Sequence, residues 1–224
     1  MRLVCVVGID GTGKTTHAKS LVKDLREHGI AVHYVWCRGV PKLFFPLLRL
    51  FKLLVFGQPI EKSVFEDIPA SDPLKQRLLS ITLVSRLWRT ILVFDTFIQV
   101  LIGVWIPLRL GKMVVSDRYI FDQMVDVAVD YNFSKSQLQQ WVKNPIYRIF
   151  PRPDLTFLFD VDAKMSYARK WDSHPIPDIA LRRKIYAWLA QIVPMTVIDA
   201  SENIDLVDSK VRSSVYERLE LHEN

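Results

Sequence analysis

A glycine-rich stretch near the start of the chain carries a lysine and two threonines at a fixed spacing. Residues 8–16 read GIDGTGKTT, which matches the G-x-x-x-x-G-K-T pattern of a phosphate-binding P-loop. In such a loop, backbone N–H groups and a helix N-terminus converge on phosphate oxygens. The sequence therefore predicts a nucleoside triphosphate site, formed by Gly8, Asp10, Gly11, Thr12, Gly13, Lys14, Thr15 and Thr16.

The residues on either side of this stretch predict the elements that would hold it in place. Residues 3–7 form a short apolar run, typical of a buried parallel strand. Residues 15–28 have apolar side chains at helical spacing, and Gly29 follows as a helix C-cap. A strand, a glycine loop and a helix in this order make a chance match improbable.

Two further polar residues follow predicted strands at their carboxyl ends, where open α/β sheets bind ligands. Asp117 ends the apolar run 112–117, and in P-loop proteins an acid at this place commonly serves Mg²⁺. Arg38 follows the predicted strand 31–36, which makes it a candidate substrate contact. For Arg38 alone, an exposed loop arginine is an equally good interpretation.

Predicted strands alternate with predicted helices along the chain, which favours a parallel sheet covered by helices on both faces. The five strands are expected at residues 3–7, 31–36, 112–117, 155–160 and 195–200. We therefore predict an α/β fold of the P-loop NTPase type, with three α/β/α layers and a five-stranded parallel sheet. Its 224 residues fit one domain, with a helical acceptor-side region at 42–110 and a lid at about 169–183.

Two strongly apolar segments have more than one interpretation. Residues 42–56 have three cations on one helical face, which is typical of a membrane-surface helix or of a core-covering helix with a solvated stripe. Residues 91–110 approach the length of a membrane span, but Asp95 and Gln99 make spanning costly. We favour a core-covering helix for the first segment and a buried helix flanking the sheet for the second.

The composition bounds the remaining function classes. The net charge is +6, but no basic run with interleaved aromatic residues is present, so nucleic acid is not an expected partner. Cys5 and Cys37 lie in or beside apolar strand-like runs, which favours a reducing cytoplasm over a disulfide framework. The apolar run at the N-terminus is too short for a signal peptide.

Several motifs, in order along most of the chain, resemble those of the thymidylate kinase family of nucleoside monophosphate kinases. Residues 8–16 resemble its G-x-x-D-G-x-G-K-T-T loop, and Asp117-Arg118-Tyr119 resembles its D-R-Y/H motif. Residues 153–161 are similar to its P-D-L-T-x-x-L-D-V strand, and residues 198–201 read IDAS, as in the family. The segment around Arg182 and Tyr186 is similar to its R-x-x-Y-x-x-L-A segment.

This resemblance implies phosphoryl transfer from ATP to a nucleoside monophosphate, with dTMP as the expected acceptor. It implies that Lys14 stabilises the transferred phosphate, that Thr15 and Asp117 serve Mg²⁺, and that Arg118 clamps the acceptor phosphate. Asp10 would lie near the acceptor sugar, and the catalytic set would be Lys14, Arg118 and Asp10. The resemblance further implies a homodimer. The implied substrate contacts are Asp10, Arg38, Arg86, Arg118, Tyr119 and Asp122.

The sequence departs from the family pattern on the acceptor side and in the loop. Thr82 replaces the aromatic residue expected to stack on thymine. Thr12 replaces an arginine of the loop, so the lid would supply positive charge from Arg169, Lys170, Arg182 or Arg183. Two alternatives therefore stay open: a kinase of the same fold with a different, membrane-proximal acceptor, and a non-catalytic nucleotide-binding protein. Membrane contact is not the interpretation we favour.

Overall fold

A computed structural model describes residues 2–37, 73–170 and 175–219; for residues 73–75 and 78 it describes the backbone only. Its centre is a five-stranded, all-parallel sheet in the order β2-β3-β1-β4-β5. The predicted α/β fold and all five predicted strands are confirmed. The strands are β1 (Leu3–Val7), β2 (Val32–Trp36), β3 (Met113–Asp117), β4 (Leu155–Asp160) and β5 (Thr196–Asp199).

Helices connect the strands and cover the sheet. The connection from β1 to β2 and the one from β3 to β4 cross the sheet in opposite directions. Because parallel crossovers are right-handed, these two connections place their helices on opposite faces, which gives the three predicted layers. The described helices are α1 (Lys14–Glu27), α2 (Pro73–Ser80), α3 (Thr82–Val100), α4 (Ile106–Arg109), α5 (Ile120–Asp130), α6 (Lys135–Val142), α7 (Ala163–Arg169), α8 (Ile176–Leu189) and α9 (Ile204–Leu219), with a π-helical turn at Leu101–Trp105 and a 3₁₀ turn at Pro145–Ile149.

The region between β2 and β3 differs from its sequence prediction. The helix predicted to continue from Pro73 past residue 87 is interrupted at Ile81. Beyond it, Thr82–Arg109 is one continuous helical segment through the π-helical turn, long and apolar enough to cross a membrane by length and composition. Only 33% of its most apolar window is buried, so the prediction of a buried helix is wrong for its outer face. Within the predicted range 91–110, Ile102 is 61% exposed and Ile106 is 48% exposed.

Gly103 shows how this helical segment approaches the sheet. A Cβ atom at Gly103 would lie 2.5 Å from Cγ2 of Val35 in β2. We expect Gly103→Ala to lower the free energy of unfolding by about 1–3 kcal/mol, because the added methyl overpacks this contact. Urea unfolding would measure the loss. The double variant Gly103→Ala/Val35→Ala makes room for the methyl and should recover part of it, whereas equal losses in both variants would contradict the contact.

Three predictions lie outside the described residues. They are the basic amphipathic helix at 42–56, the substrate role of Arg38, and the part of the predicted lid at 171–174. The single-domain organisation likewise stays a prediction.

Candidate active site

The P-loop joins β1 to α1 and is shaped by glycines in the left-handed backbone region. Gly8 has a φ of 136° and Gly11 a φ of 75°. A Cβ atom at Gly8 would collide with the carbonyl oxygen of Phe159, and one at Gly11 would lie 2.6 Å from that of Ser166. Both positions therefore require glycine for their backbone angle and for the close approach of neighbouring chain. The loop is pressed against the end of β4 and the first turns of α7.

Lys14 opens α1 and is turned inward on its own loop. Its side chain is buried, and its ammonium group donates to the carbonyl oxygen of Ile9 and, at 3.2 Å, to the hydroxyl of Thr12. Burial, together with the nearby Arg118 guanidinium, lowers the pKa of Lys14 to about 7. The ammonium group is thus held in a place that favours added negative charge, such as phosphate.

This lowered pKa predicts a pH dependence of stability. Between pH about 7 and pH 10.5 the unfolded chain binds a proton at Lys14 that the folded chain has lost. The free energy of unfolding should therefore rise with pH across this window, and the Lys14 contribution should be flat below it. Urea unfolding of the unliganded protein at pH 6.5 and 9.5, compared with Lys14→Met, would measure the difference. An identical pH response in both proteins would contradict the prediction.

Thr15 and Asp117 meet across the loop, as the pattern predicted for a metal pair. The hydroxyl of Thr15 donates to Oδ2 of Asp117 at 2.5 Å, and the hydroxyl of Tyr34 donates to the same oxygen at 2.9 Å. The other carboxylate oxygen, Oδ1, is buried without a hydrogen-bond partner. A buried carboxylate oxygen beside a hydroxyl matches the hard oxygen ligands that Mg²⁺ prefers. These residues therefore fit a magnesium ion.

Arg118 connects the P-loop to the first turn of α5, because it contacts both Asp10 and Asp122. It follows β3 with a φ of 72°, in the left-handed region that residues other than glycine rarely adopt. Its guanidinium pairs with the carboxylate of Asp10, and it also donates to Oδ1 of Asp122 at 2.9 Å and to the carbonyl oxygen of Gly8 at 3.4 Å. Burial would lower the pKa of Arg118, but Asp10 and Asp122 together raise it. The guanidinium therefore stays charged beside the loop.

The side chains of Asp122 and Tyr119 are buried and bonded to other protein groups. Asp122 is buried, and it accepts from the hydroxyl of Tyr186 at 2.7 Å and from the backbone N–H of Tyr119 at 2.9 Å. It thus holds Arg118 in position. Tyr119 has no exposed surface, and its hydroxyl donates to the carbonyl oxygen of Pro151. The predicted substrate contact of Tyr119 is corrected to a packing role, because the ring is fully buried in the hydrophobic core and its hydroxyl is bonded to the backbone.

The three predicted lid arginines are held by protein groups. Arg169 donates to the carbonyl oxygen of Ala200 at 2.8 Å, and Arg182 pairs with Asp126. Arg183 forms two parallel bonds to Asp160, at 2.7 and 2.8 Å. The fourth predicted cation of this region contacts the loop, since the ammonium group of Lys170 lies 3.2 Å from the Asp10 carboxylate.

Arg86 lies far from Arg118, contrary to its predicted role at the acceptor base. Helices α3 and α5 run antiparallel: Thr96 bonds Gln123 at the first turn of α5, whereas Ser85 bonds Tyr131 just after its end. Arg86 is ten residues before Thr96 on α3, which corresponds to about 15 Å along the helix. This position does not support the predicted contact of Arg86 with the acceptor base, which stays a prediction.

The part of α3 that lies near Arg118 contains Asp95 and Thr96, which the sequence pattern did not single out. Both side chains are buried, and Nε2 of Gln123 donates to the Thr96 hydroxyl at 2.7 Å. The other amide atom of Gln123, its Oε1, is buried without a partner. Polar residues within an apolar helical run were the available signal, since such residues are rarely buried without a purpose.

Comparisons with known proteins add a family context to this geometry. No protein-family model matches the chain. It is 28% identical over 213 residues to a probable thymidylate kinase of Methanothermobacter thermautotrophicus, covering 93% of this chain and 91% of the relative. It is 26% identical over 227 residues to a probable thymidylate kinase of Archaeoglobus fulgidus, covering 99% and 98% of the two chains. The predicted resemblance, which rested on short motifs, is confirmed along nearly the whole length.

Proposed function

We propose that this relative of proteins named probable thymidylate kinase transfers a phosphoryl group from ATP to a nucleoside monophosphate, with dTMP as the first candidate. The observation that carries the proposal is the pairing of Arg118 with Asp10 of the P-loop. A buried guanidinium beside a triphosphate loop is placed to hold a second phosphate next to the first. The names of the relatives point to dTMP.

In the donor half, the loop amides and Lys14 would bind the β- and γ-phosphates of ATP. To do so, the Lys14 ammonium exchanges the Ile9 carbonyl and the Thr12 hydroxyl for phosphate oxygens. Thr15 and Asp117 would hold Mg²⁺, which supplies positive charge to the β- and γ-phosphate oxygens when bound. Tyr34 fixes the Asp117 carboxylate through its hydrogen bond.

In the acceptor half, Arg118 would bind the phosphate of the monophosphate. The Asp10 carboxylate, now on Arg118, would turn toward the acceptor sugar, while Asp122 and Tyr186 keep the guanidinium oriented. The attacking oxygen belongs to a phosphate that is already anionic, so the site needs no general base. Lys170, which contacts Asp10, is placed to add positive charge where Thr12 stands in the loop.

The test is ADP formation by the full-length chain with MgATP and a panel of nucleoside monophosphates. We expect strong stimulation by dTMP and weaker stimulation by the others. Stimulation by a different monophosphate would keep the kinase and reassign the acceptor. Nucleotide binding without stimulation by any monophosphate would reject the proposal and favour a non-catalytic nucleotide-binding protein.

Gln123 is the further residue that we place at the acceptor side. Its unpartnered Oε1 can accept a hydrogen bond from an N–H group of the acceptor, which a pyrimidine ring offers. Gln123→Leu should raise the KM for the acceptor by about tenfold, because one hydrogen bond to a neutral group is lost, with the KM for ATP unchanged. Steady-state kinetics would measure both. Gln137→Leu, at an exposed position of α6, is the matched control. Equal KM values for both variants would contradict the placement.

We also propose that the protein is a cytoplasmic homodimer. The exposed apolar residues of the long helix, such as Leu83, Leu87 and Ile102, are typical of a surface that is covered by a partner. Light scattering should give twice the chain mass, and Leu87→Glu should give the monomer. The alternative is a membrane-proximal acceptor, because the same helix is apolar enough to span a bilayer. Flotation with anionic lipid vesicles distinguishes the two, since only the alternative predicts co-flotation.

A further inference from the structure

A cavity of about 580 Å³ lies between α3, along which its lining runs from Arg86 to Phe97, helix α6 and the 3₁₀ turn that follows. This volume is in the range of small-molecule sites. Its described lining residues on α3 include Arg86, Thr90, Val93 and Phe97, whereas the P-loop residues, Arg118, Thr96 and Gln123 are not among them. The cavity is therefore distinct from the candidate active site around the P-loop and Arg118.

Two arginines give this cavity a positive charge. Arg86 and Arg89 both line it, and the Arg89 guanidinium lies 5.3 Å from the ring centre of Tyr131 and 5.7 Å from that of Trp141. Neither arginine forms an ion pair with a residue that the structure describes, and no acidic residue is among the described residues of the lining. The charge of the guanidinium groups is thus left for an outside partner.

Two buried donors near Arg89 have no acceptor. The indole N–H of Trp141, which lines the cavity, and the hydroxyl of Tyr147 are both buried without a hydrogen-bond partner. Their rings pack edge to face at 5.8 Å, and Tyr147 is only 8% exposed. The indole can only donate, so even a contact between the two would leave the phenol proton without an acceptor. Burial raises the pKa of Tyr147, which keeps that proton in place.

The rest of the wall is apolar. Val93, Phe94 and Phe97 come from α3, and Ile146 and Ile149 come from the 3₁₀ turn. The cavity thus combines donors and positive charge with an aromatic and aliphatic surface. A bare inorganic anion would satisfy the first part only, and a neutral apolar molecule would leave the donors unpaired.

We propose that this cavity is a second ligand site, which takes a small amphipathic anion: a carboxylate, phosphate or sulfonate head on an apolar chain or ring. The head group would lie by the guanidinium groups of Arg86 and Arg89 and the indole N–H of Trp141, against which Tyr147 packs from behind the lining. The apolar body would lie against Phe94, Phe97 and the two isoleucines. The proposal is independent of the kinase activity.

The test uses anilinonaphthalene sulfonate, a fluorescent anion with an aromatic body, on the full-length chain. We expect saturable binding and its displacement by decanoate, but not by decanol or by inorganic phosphate at the same concentration. Displacement by decanol as effective as that by decanoate would overturn the anionic part. Displacement by inorganic phosphate alone would overturn the apolar part.

Variants locate the site and separate it from the exposed apolar face of the helix. Arg86→Gln/Arg89→Gln should weaken decanoate binding at least tenfold. Arg109→Gln should not, although Arg109 is on the same helical segment and also lies over a tryptophan ring, at 5.1 Å. Trp141→Phe, which removes the buried indole N–H from the lining, should also weaken decanoate binding. Unchanged affinity in both cavity variants would overturn the site.

Discussion

Replacing Lys14 by alanine is expected to lower kcat for phosphoryl transfer by about 10³-fold, the size of effect seen when one donor to a developing negative charge is removed. The ammonium group is buried at the loop, where its charge acts through little solvent. The effect should be in kcat more than in the KM for the acceptor, because Lys14 belongs to the donor half. A coupled assay of ADP formation at saturating substrates measures it.

Lys23→Ala is the matched control for this change. Lys23 is on the same helix, its side chain is 79% exposed, and its ammonium group lies 3.8 Å from the carboxylate of Glu27. It should leave kcat unchanged. A Lys14→Ala protein that is folded by circular dichroism and retains more than about a tenth of native kcat would contradict the role assigned to Lys14.

Arg118→Lys is expected to lower kcat/KM for the acceptor by about 10²–10³-fold, with the Kd for ATP held within about threefold. Lysine keeps the positive charge between Asp10 and Asp122, so the fold should not have to accommodate two facing carboxylates. It lacks the planar fork that binds two oxygens of one phosphate, which is the interaction under test. Both side chains meet the same backbone cost at a φ of 72°.

The comparison for this variant is Arg218→Lys, at an exposed position near the end of α9. Initial rates over a range of acceptor concentrations, with ATP binding followed by calorimetry, separate the two halves of the site. A fall in ATP affinity as large as the fall in kcat/KM would mean that Arg118 serves the donor instead. Unchanged kinetics would place the acceptor elsewhere.

The sequence could predict what depends on neighbours in the chain. The strand, loop and helix around Lys14 are specified by apolar runs and glycines within about 30 residues, and Asp117 and Arg118 follow directly from the end of β3. The sheet follows in turn, because alternating strands and helices leave few arrangements. These parts of the prediction are confirmed by the structure.

What could not be predicted depends on how distant helices pair. Arg86 and Thr96 are both polar residues on one apolar helix, and only the antiparallel pairing with α5 shows that Thr96 lies at the Arg118 end. The partners of the lid arginines could not be predicted for a similar reason, since the carboxylates that hold Arg182 and Arg183 are 56 and 23 residues away in the chain. The identity of a cation's partner is a tertiary property.

The π-helical turn at Leu101–Trp105 fixes the angular setting of everything before it on the helix. A turn of this kind accommodates one residue more than an α-helical turn, and each residue of an α-helix advances the side chains by about 100°. The turn itself is held against the sheet by the contact of Gly103 with Val35, and downstream the segment leads into β3. A one-residue deletion in the turn would therefore rotate α3 as a cylinder, carry Thr96 away from Gln123, and redirect which side chains face the acceptor. The side chains of α3 that face α5 therefore depend on the extra residue of the π-helical turn as well as on residue type. A sequence alignment that places this extra residue elsewhere in the helix would assign the proposed acceptor contacts to the wrong positions.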